Sequence, residues 1–132
     1  MSAIIYQDSL DGITRDMLLG GFFEGWRKPL TPEQHLQVLS NSAEIVLALD
    51  SETSQVVGHV NALSDGLQAA FIPLLEVIPA YQNRGIGSEL MRRMLDKLSG
   101  IYGVDLMCDP KLQPFYERFG LQRSVGMLRR NY

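Results

Sequence analysis

A glycine-containing segment in the second half of the chain has residue types suited to binding phosphate. It is Gln82-Asn83-Arg84-Gly85-Ile86-Gly87, and a stretch with helical periodicity follows it. Glycines let the backbone approach a ligand closely, and the first turn of a helix offers N–H groups that lack partners within the helix. Anions bind at helix starts of this kind. The segment therefore predicts a site for a phosphorylated ligand.

Two common phosphate-binding motifs do not fit this segment. A P-loop requires a lysine after its second glycine to reach the terminal phosphates, and no lysine stands there. A dinucleotide fingerprint requires a third glycine where this chain has Leu90, although Asp105 follows at a suitable distance. These residues argue against a nucleotide-binding protein of another fold.

The pattern that does fit resembles the pyrophosphate-binding signature of the GNAT acetyltransferases, Gln/Arg-x-x-Gly-x-Gly/Ala. Leu75-Glu76-Val77-Ile78-Pro79 precedes it, and an amphipathic stretch follows. Further on, Phe115-Tyr116-Glu117-Arg118-Phe119-Gly120-Leu121 resembles the family's Tyr-x-x-x-Gly-Phe motif, with Leu121 in place of the usual phenylalanine. The resemblance extends from Val56 to Leu121.

The resemblance implies an α/β fold of the GNAT type. We expect a mixed, mostly antiparallel sheet of six to seven strands, with a parallel strand–helix–strand core and helices on both faces. The implied function is acetyl-CoA-dependent N-acetylation, with direct transfer of the acetyl group to a primary amine. A coenzyme A-binding sensor without turnover is the alternative from another class, and a protein or peptide amine is an alternative acceptor.

The resemblance also implies a set of cofactor-binding residues. Backbone N–H groups from Asn83 to Ser88 would hold the coenzyme A pyrophosphate, flanked by the side chains of Gln82 and Arg84. The Val77 N–H would stabilise the oxyanion formed as the amine attacks. The complete predicted set is Val77, Gln82, Asn83, Arg84, Gly85, Ile86, Gly87, Ser88, Asp109 and Phe115.

Tyr116, at the tyrosine position of the family motif, is the candidate general acid. Acetyl transfer releases a thiolate, and a thiol pKa of about 8.5 means that protonation assists its departure. The alternative is that Tyr116 is a packing aromatic residue on a short helix.

Glu76 is the first candidate for the base that deprotonates the amine. A carboxylate inside an otherwise apolar strand is costly unless it has a purpose. The alternative is a strand-end charge that reaches solvent or pairs with an arginine. The position earlier in this strand where relatives often carry an acid holds Phe71, Ile72 or Pro73. Asp65 is a second candidate, although it also fits a turn.

Four further positions are assigned to the ligand sites with alternatives. Asp109 stands where many relatives have an asparagine, and it could contact the cofactor, bind a cationic substrate or cap a helix. Phe22 and Trp26 are predicted to bind the acceptor, together with Tyr132, although aromatic side chains there could equally form core or a dimer contact.

No metal site is predicted. His35, expected on a helix surface, and His59, expected in a strand, have no ligand spacing with another His, Cys or acid. Cys108 lies at the end of a predicted strand and is expected in the core.

The elements that must position these residues follow from periodicity and turn residues. We predict strands at Ala3–Tyr6, Ile45–Leu49, Val56–Leu63, Ala69–Ile78 and Val104–Cys108, and a final strand or hairpin at Leu121–Tyr132. The fourth of these strands is apolar almost throughout, which favours burial on both faces. Helices are predicted at 14–25, from Thr31 onward, from Gly85 onward and at 112–119.

Composition sets the class of protein. The chain has 132 residues, 45% of them hydrophobic, and we expect one domain over residues 1–132. A net charge of −3 argues against a nucleic-acid-binding protein, and no apolar run is long enough for a membrane span. One cysteine and no leader-like start favour the cytoplasm. The expected partner is a small-molecule amine, and a homodimer is kept as an option.

Overall fold

The computed structural model describes residues 2–132; Met1, the first residue of the predicted domain, lies outside the described residues. The strands are β1 (Ile4–Gln7), β2 (Glu44–Asp50), β3 (Val56–Ser64), β4 (Ala69–Val77) and β5 (Gly103–Leu106). The helices are α1 (Pro32–Ser40), α2 (Ile86–Lys97) and α3 (Gln113–Glu117), with single 3₁₀ turns at Arg15–Leu18, Pro79–Tyr81 and Pro110–Leu112.

The five strands form one sheet in the order β1-β2-β3-β4-β5. Neighbours from β1 to β4 are antiparallel, whereas β4 and β5 are parallel and α2 connects them. The predicted mixed sheet with a parallel strand–helix–strand core is therefore confirmed.

The sheet has five strands instead of the expected six to seven because the C-terminal segment forms none. Residues 121–132 contain no strand or helix, so the predicted final strand or hairpin is wrong. Val125 and Met127 are 96% and 97% exposed. Their apolar character suggested a strand, but within residues 2–132 no strand lies alongside this segment.

Helices cover both faces of the sheet, as predicted. On one face α2 packs Leu90, Met91 and Met94 into a core that includes Val60 of β3. On the other face α1 and the 3₁₀ turn at Arg15–Leu18 cover β2. Burial of these apolar side chains is the main force that holds the helices to the sheet.

Helix α1 starts where its sequence signals predict. The hydroxyl of Thr31 accepts the Gln34 N–H at 3.1 Å, and the Gln34 side chain accepts the Thr31 N–H at 3.0 Å. Pro32 occupies the first turn, where its missing N–H costs nothing. This reciprocal capping satisfies two backbone donors and sets the start of the helix.

The predicted helix from Thr14 to Gly25 is wrong. Only Arg15–Leu18 is helical, as a single 3₁₀ turn. Gly21 has a φ of +111°, a conformation that no helix contains, and Phe23 has a φ of +67°. The adjacent glycines therefore end the helix and form a loop over the sheet.

Strand β4 is covered on both faces only in part. In its first half Ala70 and Ile72 are buried, whereas Ala69, Phe71 and Pro73 are exposed. The prediction of burial on both faces is wrong for this half. Strand β5 is likewise half-buried at the sheet edge, since no sixth strand lies beside it within residues 2–132.

None of the helices in residues 2–132 combines the length and the apolar character that crossing a bilayer requires.

Candidate active site

Strands β4 and β5 separate halfway along β4. Their parallel pairing covers four rows, from Ala69 with Gly103 to Ile72 with Leu106. Beyond Ile72, β4 continues to Val77 with only β3 alongside it. An opening therefore forms between the second half of β4 and the chain that follows β5.

The backbone N–H of Val77 faces this opening. The Leu74 N–H donates to the Asn61 side-chain oxygen at 3.1 Å, and the Ile78 N–H donates to the Val57 carbonyl at 2.9 Å. Both donors point toward β3. Because successive N–H groups of a strand point to opposite sides, the Val77 N–H points away from β3. It lies where the sequence predicts an oxyanion-stabilising donor.

The loop before α2 has the shape of an anion cradle. Asn83 and Gly85 both have left-handed backbones, with φ of 63° and 79°. Gly85 stands immediately before the first helical residue, Ile86, and a Cβ built on it would meet no atom within 4 Å. Open space thus lies in front of the unpaired N–H groups of the first turn of α2, and this arrangement suits a phosphate.

Helix α3 packs beside the start of α2 and brings the two family motifs together. A Cβ on Gly87 would lie 3.8 Å from the Val77 side chain and 4.0 Å from the Phe115 ring. The Arg118 guanidinium donates to the Ser88 hydroxyl at 3.0 Å. Phe115 therefore lies at the predicted site, and Arg118 joins it although the sequence analysis assigned Arg118 no role.

The side chains of Gln82 and Arg84 bind back onto the protein. The Gln82 amide donates to the Val77 carbonyl at 2.9 Å. Arg84 donates to the Ser2 carbonyl at 3.4 Å, and its guanidinium lies 5.2 Å from the centre of the Tyr81 ring. Both side chains brace the loop and the end of β4 in this structure.

A buried carboxylate anchors the turn that leads into the loop. Asp50, at the end of β2, accepts hydrogen bonds from Ser2 at 2.6 Å and Tyr81 at 2.5 Å. The hydroxyls of Ser2 and Tyr81, with the Glu52 N–H, hold the Asp50 pKa well below its usual range. Nothing in the sequence distinguishes Asp50 from an ordinary turn residue.

Tyr116 is half-buried on α3, beside the end of β5. Burial, followed by the nearby Cys108 thiol, raises its pKa above the usual value of 10.0. The phenol is therefore protonated at neutral pH, which is the state that a general acid needs. Cys108 is half-buried and not fully in the core.

Glu76 is held beneath the loop that contains Phe23. One carboxylate oxygen accepts the Phe23 N–H at 2.9 Å. The other lies 3.9 Å from Nε2 of His59 and is buried without a hydrogen-bond partner within residues 2–132. The Glu76 side chain is 17% exposed and, within residues 2–132, forms no ion pair with an arginine. It therefore matches neither alternative from the sequence, a charge that reaches solvent or a charge that pairs with an arginine.

Glu76 belongs to a buried cluster with two histidines. The ring centres of His35 and His59 are 4.4 Å apart, and Phe22 lies 5.1 and 5.0 Å from them. His35 is 1% exposed, so its predicted place on a helix surface is wrong. Burial, followed by repulsion from His59, lowers the His35 pKa to about 3.

This cluster contains every buried polar side-chain atom that lacks a hydrogen-bond partner within residues 2–132. The atoms are Nε2 of His35, both ring nitrogens of His59 and one oxygen of Glu76. Unsatisfied buried polar atoms are rare in folded proteins, and their presence in one place favours a functional role. The signal available in the sequence was His59 itself, a polar residue inside an apolar strand.

Comparison with known proteins fits this geometry. The model of the acetyltransferase (GNAT) family matches residues 13–121. The chain belongs to the GNAT acetyltransferase family. A Deinococcus radiodurans R1 protein described as an acetyltransferase is 50% identical, with a TM-score of 0.91, 98% of this chain covered and 93% of that one.

Other solved structures are similar over the same length. A GNAT family acetyltransferase of Streptococcus pneumoniae TIGR4 is 31% identical, with a TM-score of 0.76 and 98% of each chain covered. A Staphylococcus aureus protein shares the fold at 20% identity, with a TM-score of 0.78, 98% of this chain covered and 100% of that one. No protein of curated function matches the sequence.

In this GNAT domain the two predicted acceptor residues lie at different depths. Phe22 is half-buried and touches the histidine cluster. Trp26 is 46% exposed, with its ring centre 5.0 Å from that of Phe23. Phe23, which the sequence analysis did not single out, connects Trp26 with Glu76.

The remaining candidate acids take other places. Asp65 accepts N–H groups from Leu67, Gln68 and Ala69, so it shapes the turn between β3 and β4. Asp109 is exposed at the start of the 3₁₀ turn, but its side chain makes no capping hydrogen bond. Residues 2–132 contain no group of three or more His, Cys, Asp or Glu side chains placed to bind a metal ion.

Proposed function

We propose that this GNAT domain is an acetyl-CoA-dependent N-acetyltransferase that transfers the acetyl group directly to a primary amine of a small molecule. The observation that carries the proposal is the Val77 N–H, unpaired in the opening between β4 and β5. Val77 packs near Gly87 at the start of α2, and so does Phe115, the residue before Tyr116 on α3. An oxyanion donor, a phosphate site and an acid around one opening are the parts that acetyl transfer from a thioester needs.

Acetyl-CoA fits the residues around this opening. The open space at Gly85 and the unpaired N–H groups of α2 suit the pyrophosphate. The absence of side chains at Gly85 and Gly87 leaves the backbone accessible to it. When bound, acetyl-CoA supplies the thioester carbon that the amine attacks.

Two side chains, Glu76 and Tyr116, carry out the proton transfers of the proposed reaction. Glu76, directly or through a water, takes a proton from the ammonium group of the acceptor so that the nitrogen lone pair is free. The Val77 N–H stabilises the oxyanion while the C–N bond forms. As the C–S bond breaks, Tyr116 donates its proton to the sulfur. The nitrogen loses its second proton as it becomes an amide, and this proton passes through solvent to the phenolate, while Glu76 releases the first proton to solvent.

The partners of Glu76 support a second candidate function. One of its oxygens is engaged by the Phe23 N–H, a contact that also suits an anchor for the loop. A domain with Glu76 as an anchor and no base would bind coenzyme A without turnover, as a sensor or interaction module. An acetyltransferase that acts on a protein or peptide amine is a variant of the leading proposal.

Thermal unfolding with and without acetyl-CoA, followed by thiol release with a panel of small amines and peptides, separates these functions. We expect acetyl-CoA to raise the melting temperature and small amines to release thiol. Tyr116→Phe should keep binding and lower kcat. Glu76→Gln should remove the acidic limb of the pH profile of kcat/KM. A rise in melting temperature without thiol release from any amine would favour the sensor.

Two properties of the whole protein are part of the proposal. We place the domain in the cytoplasm, where a single cysteine stays reduced. We also propose a homodimer in which the apolar residues of segment 121–132 pack on a second copy. The support is that Val125 and Met127 are almost fully exposed while β5 forms a sheet edge without a neighbour within residues 2–132.

A further inference from the structure

We propose that a basic cavity near Glu76, the proposed base, binds a carboxylate or phosphate group carried by the acceptor amine. This inference rests on the proposed acetyltransferase function and names its substrate class as anionic amines. The cavity is lined by Trp26, Arg27, Lys28, Arg130, Asn131 and Tyr132 and is called the basic cavity below.

The basic cavity forms where the C-terminal segment meets the loop after Phe23. Its volume is about 310 Å³. The Arg27 guanidinium lies 3.8 Å from the centre of the Tyr132 ring, and the Lys28 ammonium lies 3.5 Å from the Asn131 carbonyl. Two distant parts of the chain thus bring cationic and aromatic side chains together. Tyr132 stacks on a protein cation here, so it is not free to hold a substrate cation.

The charges around the basic cavity are unbalanced. Arg27, Lys28 and Arg130, together with the adjacent Arg129, make no ion pair within residues 2–132. No aspartate or glutamate side chain lines the cavity. Neighbouring cations repel one another, and a bound anion removes this repulsion.

The cavity holds the largest group of unpaired cations within residues 2–132. The chain as a whole carries a net charge of −3, and its cations elsewhere commonly face acids. Arg92 and Arg93 pair with Glu89, and Lys97 pairs with Asp8 at 2.6 Å. Seven of the twelve lysines and arginines make no ion pair within residues 2–132, and four of these seven lie at or next to the cavity. Two of the others, Arg84 and Arg118, lie at the anion cradle. Four unpaired cations at one cavity, in a protein with an excess of acids, favour an anion site over a general basic surface.

The position of the cavity assigns the anion to the acceptor. Trp26 lines the cavity and packs edge-to-face against Phe23, and the Phe23 N–H donates to the Glu76 carboxylate. One aromatic side chain therefore separates the cavity from the proposed base. The anion cradle at Gly85 lies on a different element, at the start of α2. An acceptor with its amine at Glu76 can extend its anionic end past Phe23 toward Arg27 and Arg130.

Kinetics with matched acceptors test this inference. The acceptors are ω-aminoalkanoates of increasing length, the corresponding primary amides and the corresponding ω-aminoalkyl phosphates, with thiol release as the readout. We expect KM to be lower for the anions than for the amides, by about tenfold or more at the best length. Added salt should raise KM for the anions and leave the amides unchanged. The comparison of carboxylates with phosphates identifies which anion the cavity prefers.

Substitutions connect the preference to the cavity. Arg27→Gln and Arg130→Gln should each raise KM for the anionic acceptors about tenfold, with kcat and the amide KM unchanged. Arg130→Lys should recover part of the loss. Arg15→Gln is the matched control, since Arg15 is exposed and pairs with Asp16 and Glu33 away from the cavity. Equal KM values for anions and amides, or variants that change neither, would overturn the inference while acetylation itself continued.

Binding measurements keep the inference testable without turnover. Calorimetry in the presence of coenzyme A should show an aminoalkanoate or aminoalkyl phosphate binding to the wild type and weakening about tenfold in Arg130→Gln. This result without thiol release would support the cavity and contradict the acetyltransferase proposal. If the variants instead raise KM for acetyl-CoA but not for acetyl-dephospho-CoA, the cavity binds the cosubstrate's 3′-phosphate and the inference is wrong.

Discussion

Gly58→Ala tests how closely α2 must pack on the sheet to hold the anion cradle. Gly58 lies in β3 beneath α2, and a Cβ there would be 3.0 Å from Leu90 Cδ1 and 3.3 Å from Ile86 Cγ2. It would also be 3.3 Å from the Glu76 carbonyl oxygen, a backbone atom that cannot rotate away. Contacts between carbon atoms are most favourable at about 3.5–4.0 Å, so both carbon contacts are too close.

The expected effect is a moderate loss of stability. Leu90 and Ile86 are buried, at 0% and 3% exposure, so they can withdraw only if α2 moves outward. Overpacking of this kind costs about 1–3 kcal/mol. Replacing glycine with alanine also restricts the unfolded chain, which offsets about 0.4–1 kcal/mol. We expect the free energy of unfolding to fall by about 1–2 kcal/mol.

Gly103→Ala is the matched control in the same sheet. Its Cβ would approach only the Gln68 carbonyl oxygen, at 3.6 Å, an ordinary contact. We expect it to leave the free energy of unfolding unchanged or to raise it by up to about 1 kcal/mol. Urea unfolding of both variants measures the difference. Because Ile86 begins α2, Gly58→Ala should also raise KM for acetyl-CoA. A Gly58→Ala protein within about 0.5 kcal/mol of the wild type would refute the packing argument.

Three other predictions follow from the same structure. Gly85→Asp should abolish acetyl-CoA binding in calorimetry by placing a carboxylate in the cradle, whereas Gly66→Asp, with a similar φ of +83° and equally open space, should not. Binding by Gly85→Asp at wild-type affinity would contradict the position of the cradle. His35 has its pKa lowered from 6.5 to about 3, so between these values the unfolded state binds a proton that the folded state excludes. The free energy of unfolding should therefore rise with pH in this window by up to about 1.4 kcal/mol per pH unit, and urea unfolding of His35→Leu should show a flatter dependence. Val125→Asp combined with Met127→Asp should convert the proposed dimer into a monomer in light scattering, and an unchanged mass would count against this interface.

The local features of the GNAT domain could be predicted from the sequence. The start of α1 depends on Thr31, Pro32 and Gln34, which are near neighbours in the chain. The cradle depends on Gly85 and the helix that begins one residue later. Hairpin β2–β3 and the amphipathic helix α2 follow from residue spacing in the same way. These features can be predicted because the residues that interact lie close together in the sequence.

The predictions that failed concern partners distant in sequence. The exposure of His35 depends on which face of α1 packs toward β3. The contacts of His35 with Phe22 and Phe23, in the loop over the sheet, fix that face, and these residues are distant from β3 in the chain. The apolar run of β4 predicts burial, but burial also requires a neighbouring layer. Without a strand from residues 121–132, Phe71 stays 38% exposed.

The sequence by itself determined the family, and it predicted the phosphate-binding loop and the residues proposed for acetyl transfer, since these depend on short motifs with fixed backbone requirements. Only the tertiary structure decided that Glu76 joins His35 and His59 in a buried cluster, that Asp50 anchors Tyr81, and that Arg27 meets Tyr132. The physical reason is that burial, pKa shifts and charge balance depend on every group packed nearby. Those neighbours come from separate elements and meet only when the sheet and its helices have assembled.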